Sequence, residues 1–170
     1  MPALEIVDDL LAPSDYITIS TRAFDPIRIC AIIPEMCEAV LEIEAKDVLE
    51  LVFKYDITKS PPGKTGMHWF YDILSCEKAF DRWTKAVYRF KVEGYVDPNT
   101  KIGDVTVEIK GWLYTKYEYS NFLQRAFWLF YNYTFYYKLR RKYLRIAKDY
   151  LYDLRNRIEA QLGIKRLAKV

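Results

Sequence analysis

The residues best suited to chemistry in this sequence are His68, Asp72 and Cys76, which lie close together in the chain. A histidine beside a thiol or a carboxylate could serve nucleophilic or acid-base catalysis, because its charge changes near pH 7. The spacing does not require such a pairing, and His68 next to Trp69 also fits a packed, hydrogen-bonded side chain. No GxSxG motif for a nucleophilic serine occurs. We therefore assign no catalytic residue and favour a binding protein over an enzyme.

The string PPGKTG at residues 61–66 is similar to part of a phosphate-binding loop. In GxxxxGK[ST] the first glycine lets the chain curl so that backbone amides surround a phosphate. Gly63, Lys64 and Thr65 fit this motif, but Thr58 occupies the position of its first glycine. We interpret the string as a solvated turn and predict that Lys64 binds no nucleotide.

The cysteines do not form a metal-binding pattern. Cys30, Cys37 and Cys76 show no CxxC spacing and no paired spacing with His68. The sequence therefore predicts no metal site and no cofactor. The first residues lack the basic segment and long apolar run of a secretory signal, so we expect a cytoplasmic protein.

Charge is distributed unevenly along the 170 residues. Residues 1–119 hold 14 Lys/Arg and 20 Asp/Glu, whereas residues 120–170 hold 12 and 3. A basic helix lying on an acidic sheet domain would explain this pattern without any partner. Two partners would also explain it, namely nucleic acid and an anionic membrane surface. For nucleic acid, basic side chains would contact phosphates and the tyrosines between them would stack on bases: Lys138, Arg140, Arg141, Lys142 and Arg145, with Tyr136, Tyr137 and Tyr143. For a membrane surface, the same basic residues would face lipid headgroups, and the aromatic residues that precede them would enter the interface: Phe127, Trp128, Phe130 and Tyr131.

The first half of the chain contains several alternating segments typical of strands. We predict strands over residues 16–23, 40–45 and 48–57. Residues 66–76 fit either a strand or a short helix, and we favour the strand. In residues 48–57 the odd positions from Leu49 to Ile57 are apolar, which predicts one buried face. Asp25 followed by Pro26 predicts a helix start, with Asp25 as the N-cap, and Pro34 predicts a kink or break within residues 26–39.

The second half predicts a hairpin followed by a long helix. Strands over residues 85–96 and 104–119 are joined by the turn residues 98–100. A helix then spans residues 121–163, capped by Ser120 and ended at Gly163. Its seam of Ala147, Leu151, Leu154 and Ile158 has the spacing of a buried helix face. Residues 122–137 are apolar nearly all round, so they are either buried on several sides or placed in an interface.

These elements predict a single α+β domain over residues 1–170, with residues 1–15 an N-terminal segment, 16–119 mainly β and 120–163 one long helix. The helix should pack across a single antiparallel sheet that has one short helical insertion after Asp25. This order resembles the START-like, or helix-grip, superfamily of lipid-transfer domains and polyketide cyclases. The resemblance implies an apolar ligand held between sheet and helix, and it carries over no catalytic residue. The glycine-rich loop of the plant members has no counterpart at Lys46 and Asp47.

We therefore expect non-catalytic binding of a hydrophobic or aromatic small molecule between the sheet and the helix. The residues expected to line that cavity are aromatic, and their tyrosines would supply polar groups in an apolar wall: Phe53, Tyr55, Tyr88, Phe90, Phe127 and Phe130. The alternatives are an interaction module that uses the basic aromatic helix, and a filled-core domain that self-associates. Trp112 and Tyr114, on the polar side of their strand, predict an exposed patch and a homo-oligomer.

Overall fold

The computed structural model describes residues 1–164. It contains six strands, three helices and two short helical turns. In chain order these are β1 (Ala3–Asp9), β2 (Ile17–Phe24), α1 (Arg28–Leu41), a 3-10 turn (Ala45–Asp47), β3 (Leu49–Asp56), β4 (His68–Ala79), β5 (Thr84–Val96), β6 (Ile102–Glu118), α2 (Phe122–Tyr131), a π-turn (Asn132–Tyr136) and α3 (Tyr137–Gln161). The predicted α+β class is confirmed.

All six strands form one antiparallel sheet in which β6, β5, β4 and β3 lie side by side. The 17-residue strand β6 pairs with β5 along one edge and with two strands along the other. Of these, β2 pairs with residues 102–109 and β1 with residues 112–118. Strand β3 therefore lies at the opposite edge of the sheet. The predicted single sheet with one helical insertion is confirmed.

The core lies between one face of the sheet and the helices α1 and α3. The predicted seam of α3 is buried, with Ala147, Leu151, Leu154 and Ile158 all fully inaccessible to solvent. It packs over the inward positions of β5, including Tyr88, Phe90 and Val92. The outward positions of the same strand stay partly exposed, as alternation predicts for a sheet with one solvated face.

Two segments differ from the sequence predictions. Residues 3–9, predicted to lack an element, form β1, whose charged Asp8 and Asp9 obscure the strand pattern. The predicted strand over residues 40–45 is wrong, because Val40 and Leu41 are the buried last residues of α1. Glu42 then adopts a left-handed conformation and donates its backbone N–H to the Glu38 carbonyl, which ends the helix. A short apolar run does not distinguish a buried strand from a helix end.

Both predicted N-caps are also wrong. Asp25 has a φ of 47° and its side chain does not cap α1, which begins after Ile27 and continues through Pro34 without a break. For α2 the cap is Asn121 in place of Ser120, since Asn121 Oδ1 accepts the backbone N–H of Gln124 at 2.8 Å. The Gln124 side chain in turn accepts hydrogen bonds from the amide and hydroxyl of Ser120, in the manner of a capping box.

The long C-terminal helix is interrupted by the π-turn, which keeps one face of the helix on the sheet. Asn132, Tyr136 and Arg140 are buried at intervals of four residues. In a regular α-helix, intervals of four drift steadily around the axis, because a turn takes 3.6 residues. The wider π-turn absorbs one additional residue, so Arg140 and the seam of α3 face the same side.

Candidate binding surface

The six aromatic residues predicted to line a cavity occupy three separate places. Phe53 and Tyr55 lie on the edge strand β3, where 48% and 45% of their surface is exposed. Tyr88 and Phe90 are fully buried in the core beneath α3. Phe127 and Phe130 lie on α2 and are 55% and 60% exposed. The structure does not bring the six together in one place, and their role in binding a ligand stays a prediction.

A hydrogen bond joins the sheet to α3 at the place where the sequence predicts a cavity. Tyr88 Oη donates to the backbone carbonyl of Ala147 at 2.9 Å, and the Phe80 and Tyr143 rings stack with centroids 4.9 Å apart. Burial raises the pKa of the Tyr88 phenol, so it remains a neutral donor. Tyr88 is therefore a core residue that joins β5 to α3.

A β-bulge at Leu51 changes the predicted faces of β3. Glu50 pairs with Leu74 and Val52 with Ile73, so Leu51 is an additional residue between them. Glu50 consequently lies on the helix-facing side of the sheet, whereas Leu49 joins the open side. The predicted placement of all the odd residues on one buried face is wrong. The bulge is not visible in the alternation of the sequence.

The inner side of α2 is held to the sheet by a cluster of aromatic rings. Trp128 stacks on Tyr117 with centroids 4.7 Å apart and donates its indole N–H to the Glu118 carbonyl at 3.1 Å. Trp83 contacts the rings of Tyr117, Trp128, Tyr131 and Tyr136. Burial raises the pKa of Tyr117 to about 12. This cluster fixes which side of α2 points away from the protein.

A buried polar network continues from that cluster into the start of α3. Tyr136 Oη donates to Asp81 Oδ2 at 2.6 Å and lies 2.6 Å from Thr84 Oγ1. Arg140 Nε donates to Thr115 Oγ1 at 3.1 Å, and its guanidinium pairs with Asp8 of β1. Burial, followed by the bond to Asp81, raises the pKa of the Tyr136 phenol. The network anchors the π-turn to three strands.

The outer side of α2 and the π-turn consists of exposed apolar side chains. We call this surface the apolar stripe, and its members are between 55% and 77% exposed: Phe122, Leu123, Phe127, Phe130 and Tyr133. Large apolar residues that are this exposed and contiguous mark an interaction site. The sequence signal was the all-round apolar character of residues 122–137, and the structure places these residues at the surface.

The apolar stripe continues into a basic surface on α3. We call it the basic stripe, and it lines a shallow groove of about 580 Å³: Lys138, Arg141, Lys142, Arg145 and Lys148. From Tyr119 to Lys148 the sequence contains no acidic residue. Arg140 points inward to Asp8, so the predicted basic cluster is divided between a structural residue and an outward-facing group.

The other residues singled out for chemistry are separated in the structure. His68 Nδ1 lies 2.7 Å from Tyr55 Oη, and Cys76 Sγ lies 3.6 Å from Cys37 Sγ. His68 and Asp72 share one strand at a distance of about 13 Å, from a rise of about 3.3 Å per residue. Lys64 Nζ pairs with Asp104 at 3.3 Å. Within residues 1–164 no three His, Cys, Asp or Glu side chains form a metal-binding group.

Asp72 is the most unusual polar residue of the sheet. It is fully buried on the helix-facing side of β4, and neither carboxylate oxygen accepts a hydrogen bond of regular geometry from the described residues, although the Cys30 thiol lies close enough to stabilise its charge. The Cys30 thiol of α1 and the Glu50 carboxylate lie near it. Burial, followed by the charge of Glu50, raises the pKa of Asp72 to about 6. The bulge brings Glu50 to this side of the sheet, which sequence alternation alone could not predict.

Trp112 and Tyr114 lie on the open face of the sheet and are half-buried. Arg89 and Lys110 lie 5.5 and 5.7 Å from the centroid of the Trp112 ring. Self-association through this patch stays a prediction.

None of the helices in residues 1–164 has the length and apolar character that a membrane span requires.

No protein-family model matches the chain, and no curated protein matches it. Among solved structures, a SecB-like chaperone of Mycobacterium tuberculosis in complex with an antitoxin peptide is similar at 16% identity and a TM-score of 0.27, covering 71% of this chain and 83% of that one. The protein Ara h 8.0201 is similar at 7% identity and a TM-score of 0.18, and the match covers 80% of this chain and 97% of that one. An uncharacterised protein of Rhizobium leguminosarum is similar at 11% identity and a TM-score of 0.17, and the match covers 90% of this chain and 99% of that one. TM-scores of this size do not establish a shared fold.

Proposed function

We propose that the protein binds an anionic membrane surface through α2 and the first turns of α3. The observation that carries this proposal is the continuity of the apolar stripe with the basic stripe on one exposed side of the helix. Interfacial helices combine buried apolar side chains with Lys and Arg that contact lipid headgroups. Here Phe122, Leu123 and Phe130 would enter the acyl boundary while Arg141 and Arg145 meet phosphate groups.

The composition of the two stripes favours lipid over the other predicted partners. The phosphates of a nucleic acid would pair with the basic stripe, and its bases would stack on aromatic rings. It would leave Phe122 and Leu123, which lie outside the basic groove, without an apolar partner. A second copy of the helix would bring two sets of basic side chains together without an acidic residue between them. An anionic bilayer supplies both apolar depth and negative charge.

Vesicle co-sedimentation tests the proposal directly. We expect the full chain to bind vesicles that contain phosphatidylglycerol and to leave pure phosphatidylcholine vesicles unbound. Because each basic residue near an anionic surface contributes about 1 kcal/mol, the double variant Arg141→Ala/Arg145→Ala should bind about thirtyfold more weakly. Added salt should weaken wild-type binding as well, since it screens exposed charges.

The apolar contribution is tested with a pair of matched variants. Phe122 is 76% exposed on the apolar stripe, and Phe24 is 74% exposed on β2. We expect Phe122→Ser to weaken vesicle binding and Phe24→Ser to leave it unchanged. Equal effects of the two variants, or binding to an oligonucleotide without binding to vesicles, would refute the proposal.

The expectation of a hydrophobic small molecule between sheet and helix stays a prediction. The six residues assigned to it are dispersed, so no specific contact favours it over membrane binding. Organic extraction of the purified protein followed by mass spectrometry remains its test.

A further inference from the structure

The edge strand β3 offers an unpaired set of backbone groups. In the described part of the chain it pairs with β4 along one edge, and nothing pairs with the other. The bulge at Leu51 lies near the start of the strand, so residues 52–56 pair with β4 in regular register. A regular open edge is a template for a further strand.

Side chains on this edge form two rows with different chemistry. Pairing with β4 places Val52, Lys54 and Asp56 on the open face of the sheet and Phe53 and Tyr55 on the helix-facing side. Ile57 follows the strand and is 63% exposed. The edge therefore has two rows of side chains. The row on the open face carries one positive and one negative charge, and the other row consists of half-exposed apolar groups.

We propose that a second copy of the chain pairs with β3 in antiparallel orientation, about a two-fold axis at Tyr55. This register places Lys54 of each copy opposite Asp56 of the other. On the helix-facing side it places the two Tyr55 residues opposite each other, and it brings Phe53 near Ile57 of the other copy, which follows the end of β3. The two sheets then form one continuous antiparallel sheet.

Charge complementarity selects both the occupant and the register. An axis at Lys54 would place two lysines directly opposite each other, which destabilises a strand pair. An axis at Phe53 would place Lys54 opposite the uncharged Val52 and would extend the pairing into the bulge. Only the axis at Tyr55 gives two attractive charge pairs with apolar contacts on the other side. The sequence of β3 is thus self-complementary about that residue.

The proposal is tested by charge exchange, with sedimentation velocity over a concentration series as the readout. Lys54→Asp alone and Asp56→Lys alone each bring like charges together, and we expect each variant to dimerise about tenfold more weakly than wild type. An equimolar mixture of the two variants restores opposite charges in both cross-strand pairs. We expect the mixture to form a heterodimer with wild-type affinity.

Thr18→Asp, on the strand at the other side of the sheet, is the matched control and should leave dimerisation unchanged. Thermal unfolding monitors whether each variant is folded. A wild-type chain that stays monomeric at every concentration overturns the proposal, and so does a variant mixture that fails to associate. A dimer that is lost in Phe122→Ser but kept in Lys54→Asp also overturns it, because the apolar stripe is then the interface. Vesicle binding is measured separately, so failure of either proposal leaves the other testable.

Discussion

The phenol of Tyr88 on β5 donates a hydrogen bond to the Ala147 carbonyl on α3 across 2.9 Å in the fully buried core. Tyr88→Phe keeps the ring and removes this donor. Because a buried hydrogen bond contributes about 1 kcal/mol, we expect the variant to lose about that much free energy of unfolding.

Chemical denaturation measures the effect of Tyr88→Phe, and Tyr152→Phe is its control, since Tyr152 is 37% exposed. The control should change the free energy of unfolding by less than about 0.5 kcal/mol. If both variants unfold with wild-type midpoints, the Tyr88 hydroxyl does not stabilise the contact between β5 and α3.

Asp72 should make stability depend on pH in a direction opposite to most carboxylates. Its pKa is raised from an ordinary 3.8 to about 6 by burial, so the folded state binds the proton more tightly than the unfolded chain. The free energy of unfolding should therefore fall as pH rises from about 4 to about 6, by about 3 kcal/mol, and then level off.

Asp72→Asn removes that titration and keeps the shape of the side chain. We expect the variant to match wild type near pH 4 and to be more stable than wild type above pH 6, with denaturation curves measured at each pH. Asn156→Ala replaces an exposed, uncharged side chain of α3 and should differ from wild type by a constant amount. A constant difference for Asp72→Asn too would mean that Asp72 ionises normally in the folded protein.

The strands and the helix seam could be predicted from the sequence because their patterns follow directly from burial on one side. Alternation in residues 85–96 and 104–119 and the spacing from Ala147 to Ile158 report which face is covered, and the structure covers those faces. Periodicity does not report local insertions. Both the β-bulge at Leu51 and the π-turn add one residue, and each redirects the side chains that follow it.

The surface could be predicted only in part for a related reason. An aromatic residue such as Phe90 or Phe130 has the same apolar character whether a neighbour covers it or not. The helices that pack on the sheet cover Phe90, whereas Phe130 on α2 points away from the sheet. The unusual composition of residues 122–137 indicated an interface, but the direction of each side chain depended on the cluster around Trp83. That cluster joins residues far apart in the sequence.

Arg140 should be a structural residue within an otherwise surface-exposed basic segment. Its side chain is 10% exposed and binds Asp8 and Thr115, so Arg140→Ala leaves the partly buried Asp8 carboxylate without this donor and the Thr115 hydroxyl with its bond to Thr84. We expect a loss of about 2 kcal/mol in the free energy of unfolding, since Asp8 regains some water. Arg141→Ala, next in the chain but outward-facing, is the control and should have little effect. Hydrogen exchange in β1 should rise in the Arg140 variant alone, and an unchanged rate there would contradict this role.

The π-turn predicts an unusual tolerance to deletion at one position of the helix. Thr134 is exposed within the turn, and removing it shortens the interval between Asn132 and Arg140 from eight residues to seven. Seven residues fit two turns of a regular α-helix, so both residues can keep facing the sheet. We expect the deletion variant to fold cooperatively, with a free energy of unfolding within about 1 kcal/mol of wild type. Deletion of the exposed Asp149 in α3 instead rotates Leu151, Leu154 and Ile158 by about 100° away from the core, and this variant should lose its cooperative unfolding transition. Circular dichroism during thermal unfolding distinguishes the two variants. If deletion of Thr134 is as damaging as deletion of Asp149, the π-turn does more than absorb one additional residue.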